Sequence, residues 1–114
     1  MNINTLTIKA QELLQSAMTL AHTKGQQALE PQHILATAIA DDNSLASYLF
    51  GRVGINIDTL RKQVAEAIER LPRVEGSESN IFFSRESSAV IQRAVELTRT
   101  FSDKYASIEH IIAA

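Results

Sequence analysis

The sequence predicts an all-α protein, and three observations support this class. Glycine and proline number 4 and 2 among 114 residues, so few positions interrupt a helix. Aromatic residues make up 5% of the chain, and this scarcity of strand-favouring side chains argues against a sheet. Apolar residues recur at the i, i+3, i+4 and i+7 spacing of amphipathic helices in several separate segments. We therefore expect a helical bundle with no β-strand.

Capping residues and helix breakers divide the first half of the chain into three predicted helices. The first helix begins after Thr7, whose hydroxyl can cap it, and ends before Gly25. The second begins at Pro31, where the missing N–H costs no hydrogen bond. Ser44 is the expected N-cap of a short third helix that ends before Gly54.

The second half of the chain contains three further predicted helices and one longer loop. Asn56 or Asp58 opens the fourth helix, which ends before the loop 72–83. Ser84 opens the fifth helix and Ser107 the last. Ser44, Ser84 and Ser107 therefore stand where a helix cap is needed, which argues against a serine nucleophile.

Two parts of the chain resemble each other at a constant offset. When residues 7–37 are compared with residues 84–114, without a gap, seven of 31 positions are identical. The match extends over a helix, a loop and the next helix, so we interpret it as a duplicated helical unit with pseudo-twofold symmetry. The chain is then a single domain, 1–114, with repeat 1 at about 7–71, a linker loop at 72–83 and a partial repeat 2 at 84–114. Counterparts of the later part of repeat 1 are not in this sequence, so we expect the second repeat to be truncated.

Composition and motifs exclude several classes of function. The net charge of −2 offers no basic surface for nucleic acid, and no apolar run reaches the ~20 residues of a membrane span. The absence of cysteine excludes disulfide scaffolds and cysteine nucleophiles. No phosphate-binding glycine motif is present, so this chain is expected to bind no nucleotide. His22, His33 and His110 lack metal-binding spacing, so we expect no metal and interpret the histidines as structural or surface residues.

Four short segments and several residues of the first helix resemble one known family. The segments are "LEPQHIL" at 29–35, "GIN" at 54–56, "LPRVEG" at 71–76 and "YASIEH" at 105–110, and the first-helix residues are Leu6, Thr7, Ala17 and Ala21. Together they resemble the N-terminal Clp repeat domain of the Clp family of AAA+ protein-remodelling ATPases. The second and third segments are most similar to the ClpB disaggregase branch. The resemblance implies the fold of a duplicated helical bundle.

The resemblance also implies a function. Such a domain binds exposed apolar segments of misfolded or aggregated proteins and passes them to ATP- and magnesium-binding AAA+ modules, which this chain lacks. The parent protein would be a cytoplasmic hexamer that works with an adaptor or a cooperating chaperone, whereas the isolated domain would be monomeric. Two alternatives remain open: an adaptor-docking domain of a protease-partnered Clp ATPase, and a small helical enzyme or regulator that shares the repeat.

Three polar residues are candidates for substrate handling because of this resemblance. Thr7 begins the first helix, Asp103 precedes the last helix, and Glu109 lies in the first turn of that helix. Each also has a structural interpretation, since a threonine or aspartate caps a helix and a carboxylate stabilises a helix N-terminus.

The apolar part of the predicted site comes from the fifth helix. Leu97 is expected to line a shallow groove beside the three polar residues, with Phe101, Ile91 and Tyr105 as weaker candidates. Arg93 and His110 are polar at positions where the resemblance implies an apolar wall. Such a groove suits an adaptable site of low selectivity.

Overall fold

A computed structural model of the protein describes residues 6–73, 81–100 and 108–113. These residues form six helices and two strands of two residues each. The elements are α1 (Ile8–Thr23), β1 (Ala28–Leu29), α2 (Pro31–Ala38), α3 (Leu45–Arg52), α4 (Ile57–Glu69), β2 (Phe82–Phe83), α5 (Arg85–Thr100) and α6 (Ile108–Ala113). The all-α class is confirmed. Within the described ranges no helix has the length and apolar character needed to cross a membrane.

The two longest helices, α1 and α5, begin in the same way. Thr7 Oγ1 accepts a hydrogen bond from the Ala10 N–H at 3.2 Å, and Ser84 Oγ accepts one from the Ser87 N–H at 3.1 Å. Both helices contain 16 residues, and their caps stand at the offset seen in the sequence comparison. The matching caps and lengths support the proposed repeat, while the superposition of two repeats stays a prediction.

Helices α2, α3 and α4 also start where the sequence places them. Pro31 is the first residue of α2, and Ser44 Oγ accepts from the Ser47 N–H at 3.1 Å at the start of α3. Asn56 Oδ1 accepts from the Thr59 N–H at 3.1 Å, so Asn56, and not Asp58, caps α4.

Helices α1 and α3 end at glycines in the left-handed region. Gly25 has a φ of 70° and Gly54 a φ of 87°, values that side chains with a Cβ rarely adopt. These are the helix ends that the sequence predicts.

The expectation of no β-strand is wrong. β1 and β2 form a parallel pair in which Ala28 lies opposite Phe82 and Leu29 opposite Phe83. The Ser84 N–H donates to the Leu29 carbonyl at 3.0 Å, so the pair ends at the cap of α5. β2 also occupies the end of the segment predicted to be a loop, 72–83. Two residues are too few to produce a periodic pattern, and their partners are distant in the chain, so local sequence gives no signal for this pair.

The hydrophobic core lies between the helices of the two halves. Leu14 and Ala17 on α1 are completely buried, and so are Ile91 and Ala94 at the corresponding positions of α5. α1 packs mainly against α2, α5 against α6, and α2 also against α4. α3 crosses to contact α6, which connects the two halves of the molecule.

Candidate functional site

An open apolar groove of about 620 Å³ lies in the described part of the chain. Helices α1, α2, α3, α5 and α6 contribute to its walls. Its apolar lining consists of Leu13, Pro31, Ile34, Leu35, Ala38, Phe50, Val90, Ile111 and Ile112. Three polar side chains, Glu30, Gln32 and Glu86, complete it. The volume falls within the ~300–1,000 Å³ range of ligand sites in proteins.

Residues at equivalent positions of the proposed repeats meet in this groove. Leu13 on α1 corresponds to Val90 on α5, and Ile34 on α2 corresponds to Ile111 on α6. All four line the cavity, so the groove lies where the two halves of the bundle meet. Phe50 on α3 reaches it because α3 crosses towards α6.

The groove presents accessible apolar surface. Leu35, Phe50, Val90 and Ile112 are half-buried, so part of each side chain remains in contact with water. Covering such surface with another apolar group is favourable, by roughly 25 cal/mol per Å². The described lining contains no histidine, serine or threonine, and no group of His, Asp or Glu residues in the described ranges could hold a metal ion. The arrangement is therefore suited to binding apolar side chains.

A chain of buried hydrogen bonds fixes the α2 wall of the groove. The Glu30 N–H donates to His33 Nδ1 at 2.9 Å, and His33 Nε2 lies 2.6 Å from Gln26 Oε1. Gln26 Nε2 in turn donates to the Ile68 carbonyl at 2.8 Å. Because Nδ1 accepts a backbone proton, the imidazole proton resides on Nε2, which donates to Gln26. His33 thus connects the start of α2 to the end of α4.

Burial determines the protonation state of this histidine. His33 is completely buried, and desolvation lowers its pKa, although the nearby Glu30 carboxylate and the Glu30 backbone act in the opposite direction. Protonation of Nδ1 would also place two donors, that N–H and the Glu30 N–H, against each other. Neutral His33 is the form that the network requires, and this structural role is the one predicted from the sequence.

The five predicted site residues are only partly described by the structure. Thr7 is half-buried at the start of α1, where it caps the helix, and it is not among the residues that line the groove. Leu97 and Glu109 belong to α5 and α6, but their side chains lie outside the described residues. Phe101 and Asp103 lie outside them altogether. The grouping of these five residues stays a prediction.

The structure corrects one predicted groove residue, and the sequence analysis named none of the residues that line this groove as site residues. Ile91 is completely buried in the core, so it cannot line an open groove. The preceding residue, Val90, faces the cavity instead, together with Glu86 one turn before it. Phe50 was not predicted, because its place in the groove depends on how α3 crosses the bundle, which no local pattern specifies.

Comparison with known proteins identifies relatives of the whole chain. The family model described as the Clp repeat (R) N-terminal domain matches residues 5–114. The chaperone protein ClpB of Porphyromonas gingivalis is 43% identical over 114 residues, which is 100% of this chain and 13% of that protein. The chain therefore spans a small part of the length of this relative.

Solved structures share the fold at lower sequence identity. The Hsp104 N-terminal domain from Candida albicans has a TM-score of 0.85 and 21% identity, covering 95% of this chain and 71% of that chain. A ClpV N-domain solved in complex with a VipB peptide has a TM-score of 0.78 and 20% identity, covering 96% of this chain and 66% of that chain.

Proposed function

Because the chain belongs to the family of Clp repeat N-terminal domains, we propose that it captures exposed apolar segments of misfolded or aggregated proteins. The observation that carries this proposal is the open groove of about 620 Å³ with its half-buried apolar side chains. The chain is the N-terminal domain and not the ATPase module of such a protein. In the proposed scheme it delivers clients to ATP-driven modules elsewhere in a cytoplasmic, hexameric parent.

The shape of the groove predicts weak binding by a single domain. An unfolded segment must lose conformational freedom when it binds, and an open groove buries little surface to offset that loss. Several domains held in one assembly would raise the effective concentration of sites for one aggregate. Weak single contacts also allow a client to leave the domain and move on.

The groove can be tested by removing apolar surface from it. The experiment is an NMR titration of the protein with a permanently unfolded model client. L35Q and I112Q each place a polar amide in the groove, and both should weaken binding and reduce the shifts around α2 and α6. V53Q is the matched control, because Val53 is 74% exposed and does not line the groove. Equal losses in V53Q and the groove variants would contradict a specific site.

The predicted site around Thr7, Leu97, Phe101, Asp103 and Glu109 is proposed as a second contact region for clients. L97Q and D103N should weaken client capture without unfolding the protein. Asp103 stands at the repeat position equivalent to Gln26, so the stability of D103N must be measured alongside its binding. Shifts restricted to α4, on residues such as Lys62 and Glu66, would contradict both regions.

Docking of a folded adaptor is the second candidate function. It is favoured by the solved complex of a ClpV N-domain with a VipB peptide, because that N-domain shares the fold of this chain. An adaptor would present a structured segment, so the two functions differ in what the domain recognises. Tight binding of a folded partner, together with no shifts on adding an unfolded client, would favour adaptor docking.

A further inference from the structure

The outer edge of β1 has a backbone donor and a backbone acceptor that pair with no other described residue. The Phe82 N–H donates to the Gln27 carbonyl at 3.0 Å. The Ser84 N–H donates to the Leu29 carbonyl at 3.0 Å, so both carbonyls point towards β2. Successive residues of a strand direct their backbone groups to opposite sides, so the N–H and carbonyl of Ala28 point away from β2.

A hollow of about 220 Å³ lies beside this edge. Ala28 is opposite Phe82 in the strand pair, so their side chains share one face, where Phe82 is 56% exposed. The volume is below the ~300–1,000 Å³ of ligand sites, so the hollow suits one side chain of a bound chain and not a whole ligand. Its lining consists of Gln26, Gln27, Ala28, Glu30, Leu71, Pro72 and Phe82.

On the basis of the proposed client-binding function, we propose that an extended segment of an unfolded client pairs with β1 as a third strand. One client N–H donates to the Ala28 carbonyl, and one client carbonyl accepts from the Ala28 N–H, in either strand direction. A neighbouring client side chain enters the hollow and contacts Leu71 and Phe82. In this mode of peptide recognition, main-chain hydrogen bonds give affinity and a pocket gives specificity.

The chemistry of the edge identifies an extended client as the occupant. The donor and the acceptor belong to one residue, Ala28, and point in one direction, which is the arrangement that an extended backbone matches. An unfolded client offers unpaired backbone groups along its length, whereas a folded partner has already paired most of its own. Backbone pairing depends little on side chains, which suits a domain that captures many clients. A strand of two residues offers few bonds, so pairing stays weak and edge-to-edge aggregation is limited.

Amide hydrogen exchange measured by NMR tests this edge in the unmodified protein. The probe is a seven-residue peptide of valine and threonine with blocked ends. The Ala28 N–H should exchange rapidly in the free protein and about tenfold more slowly at saturating peptide. The Phe82 N–H is the internal control, because it already donates to Gln27 and should not change. Slow exchange at Ala28 in the free protein would overturn the proposal, because that donor would already have a partner.

A second set of peptides removes one backbone N–H at a time by N-methylation and keeps every side chain. Methylation of the N–H that donates to Ala28 should weaken binding by about tenfold, and methylation of the adjacent positions should have smaller effects. Equal binding of all methylated peptides would contradict pairing through the backbone.

Two variants of the protein test the edge and the hollow separately. A28P removes the outward N–H and no hydrogen bond of the strand pair, so it should weaken peptide binding, and proline is tolerated on a strand edge. F82S removes an exposed wall of the hollow and should also weaken binding. V53S is the matched control, because Val53 is 74% exposed and does not line the hollow. F82S and the methylated peptides remain decisive if A28P is unstable.

The outcomes distinguish this edge from the apolar groove. If L35Q and I112Q weaken client binding but the peptide does not protect the Ala28 N–H, apolar capture stands and strand pairing is overturned. If the peptide protects the Ala28 N–H and L35Q and I112Q bind the client normally, the edge is supported and the groove is contradicted as the client site. Failure of both the unfolded client and the peptides to bind would overturn the proposed function and the strand pairing together.

Discussion

Replacement of His33 by alanine is the perturbation whose effect the structure specifies in most detail. The imidazole is completely buried and makes hydrogen bonds at 2.9 Å to the Glu30 N–H and at 2.6 Å to Gln26 Oε1. H33A removes both bonds and leaves a buried donor and a buried acceptor without partners. Each such group costs about 1–3 kcal/mol, and the space left by the ring adds a packing loss. We expect a total loss of about 3 kcal/mol, since water can enter and satisfy part of the network.

The assay is equilibrium unfolding in urea at pH 7.5, followed by far-UV circular dichroism. H33A should lower the midpoint with little change in slope, as expected when stability changes and the exposed surface does not. H22A is the matched control, because His22 is exposed at the end of α1, and it should change stability by less than about 0.5 kcal/mol. A loss below about 1 kcal/mol in H33A would refute the view that this network anchors α2.

Three further predictions follow from the described contacts. Burial lowers the pKa of His33, so the unfolded state takes up a proton more readily than the folded state. The free energy of unfolding should therefore fall as the pH drops below ~6.5. In urea titrations between pH 7.5 and 5, the free energy of unfolding of H33A should depend less on pH than that of the unmodified protein. T7A and S84A each remove a helix cap and should cost about 1 kcal/mol by thermal or urea unfolding, and equal stability of T7A and the unmodified protein would contradict the capping role. S87A removes the buried hydrogen bond of 2.6 Å from Ser87 Oγ to the Leu29 carbonyl. It should cost about 1–3 kcal/mol of stability and increase hydrogen exchange at the Ser84 N–H. Unchanged exchange would show that the strand pair does not depend on this bond.

Local chemistry explains why the helix boundaries were predictable from the sequence. Thr7, Ser44 and Asn56 each cap a helix through a side-chain oxygen, and this preference is a property of the residue and its next three neighbours. The glycine ends are local in the same way. The identity of the α4 cap was left open between two residues, because Asn and Asp are about equally good caps and only the observed hydrogen bond distinguishes them.

The candidate site was less predictable, because it depends on distant contacts. Ile91 and Val90 are neighbours in the same apolar pattern, yet one is completely buried and the other lines the groove. A rotation of about 100° separates adjacent positions on a helix, so the packing angle of α5 decides which of the two faces the cavity. The pattern in the sequence marks both residues as apolar and cannot assign their neighbours.

The sequence by itself determined the helical class, the order and caps of the helices, the internal offset of 77 residues and the family to which the chain belongs. Each of these follows from short-range propensity or from comparison of residues along the chain. Only the tertiary structure decided the strand pair, the buried chain from Glu30 through His33 and Gln26 to Ile68, and the apolar groove. These features join residues that are far apart in the chain, and their hydrogen bonds and burial arise only when the helices pack.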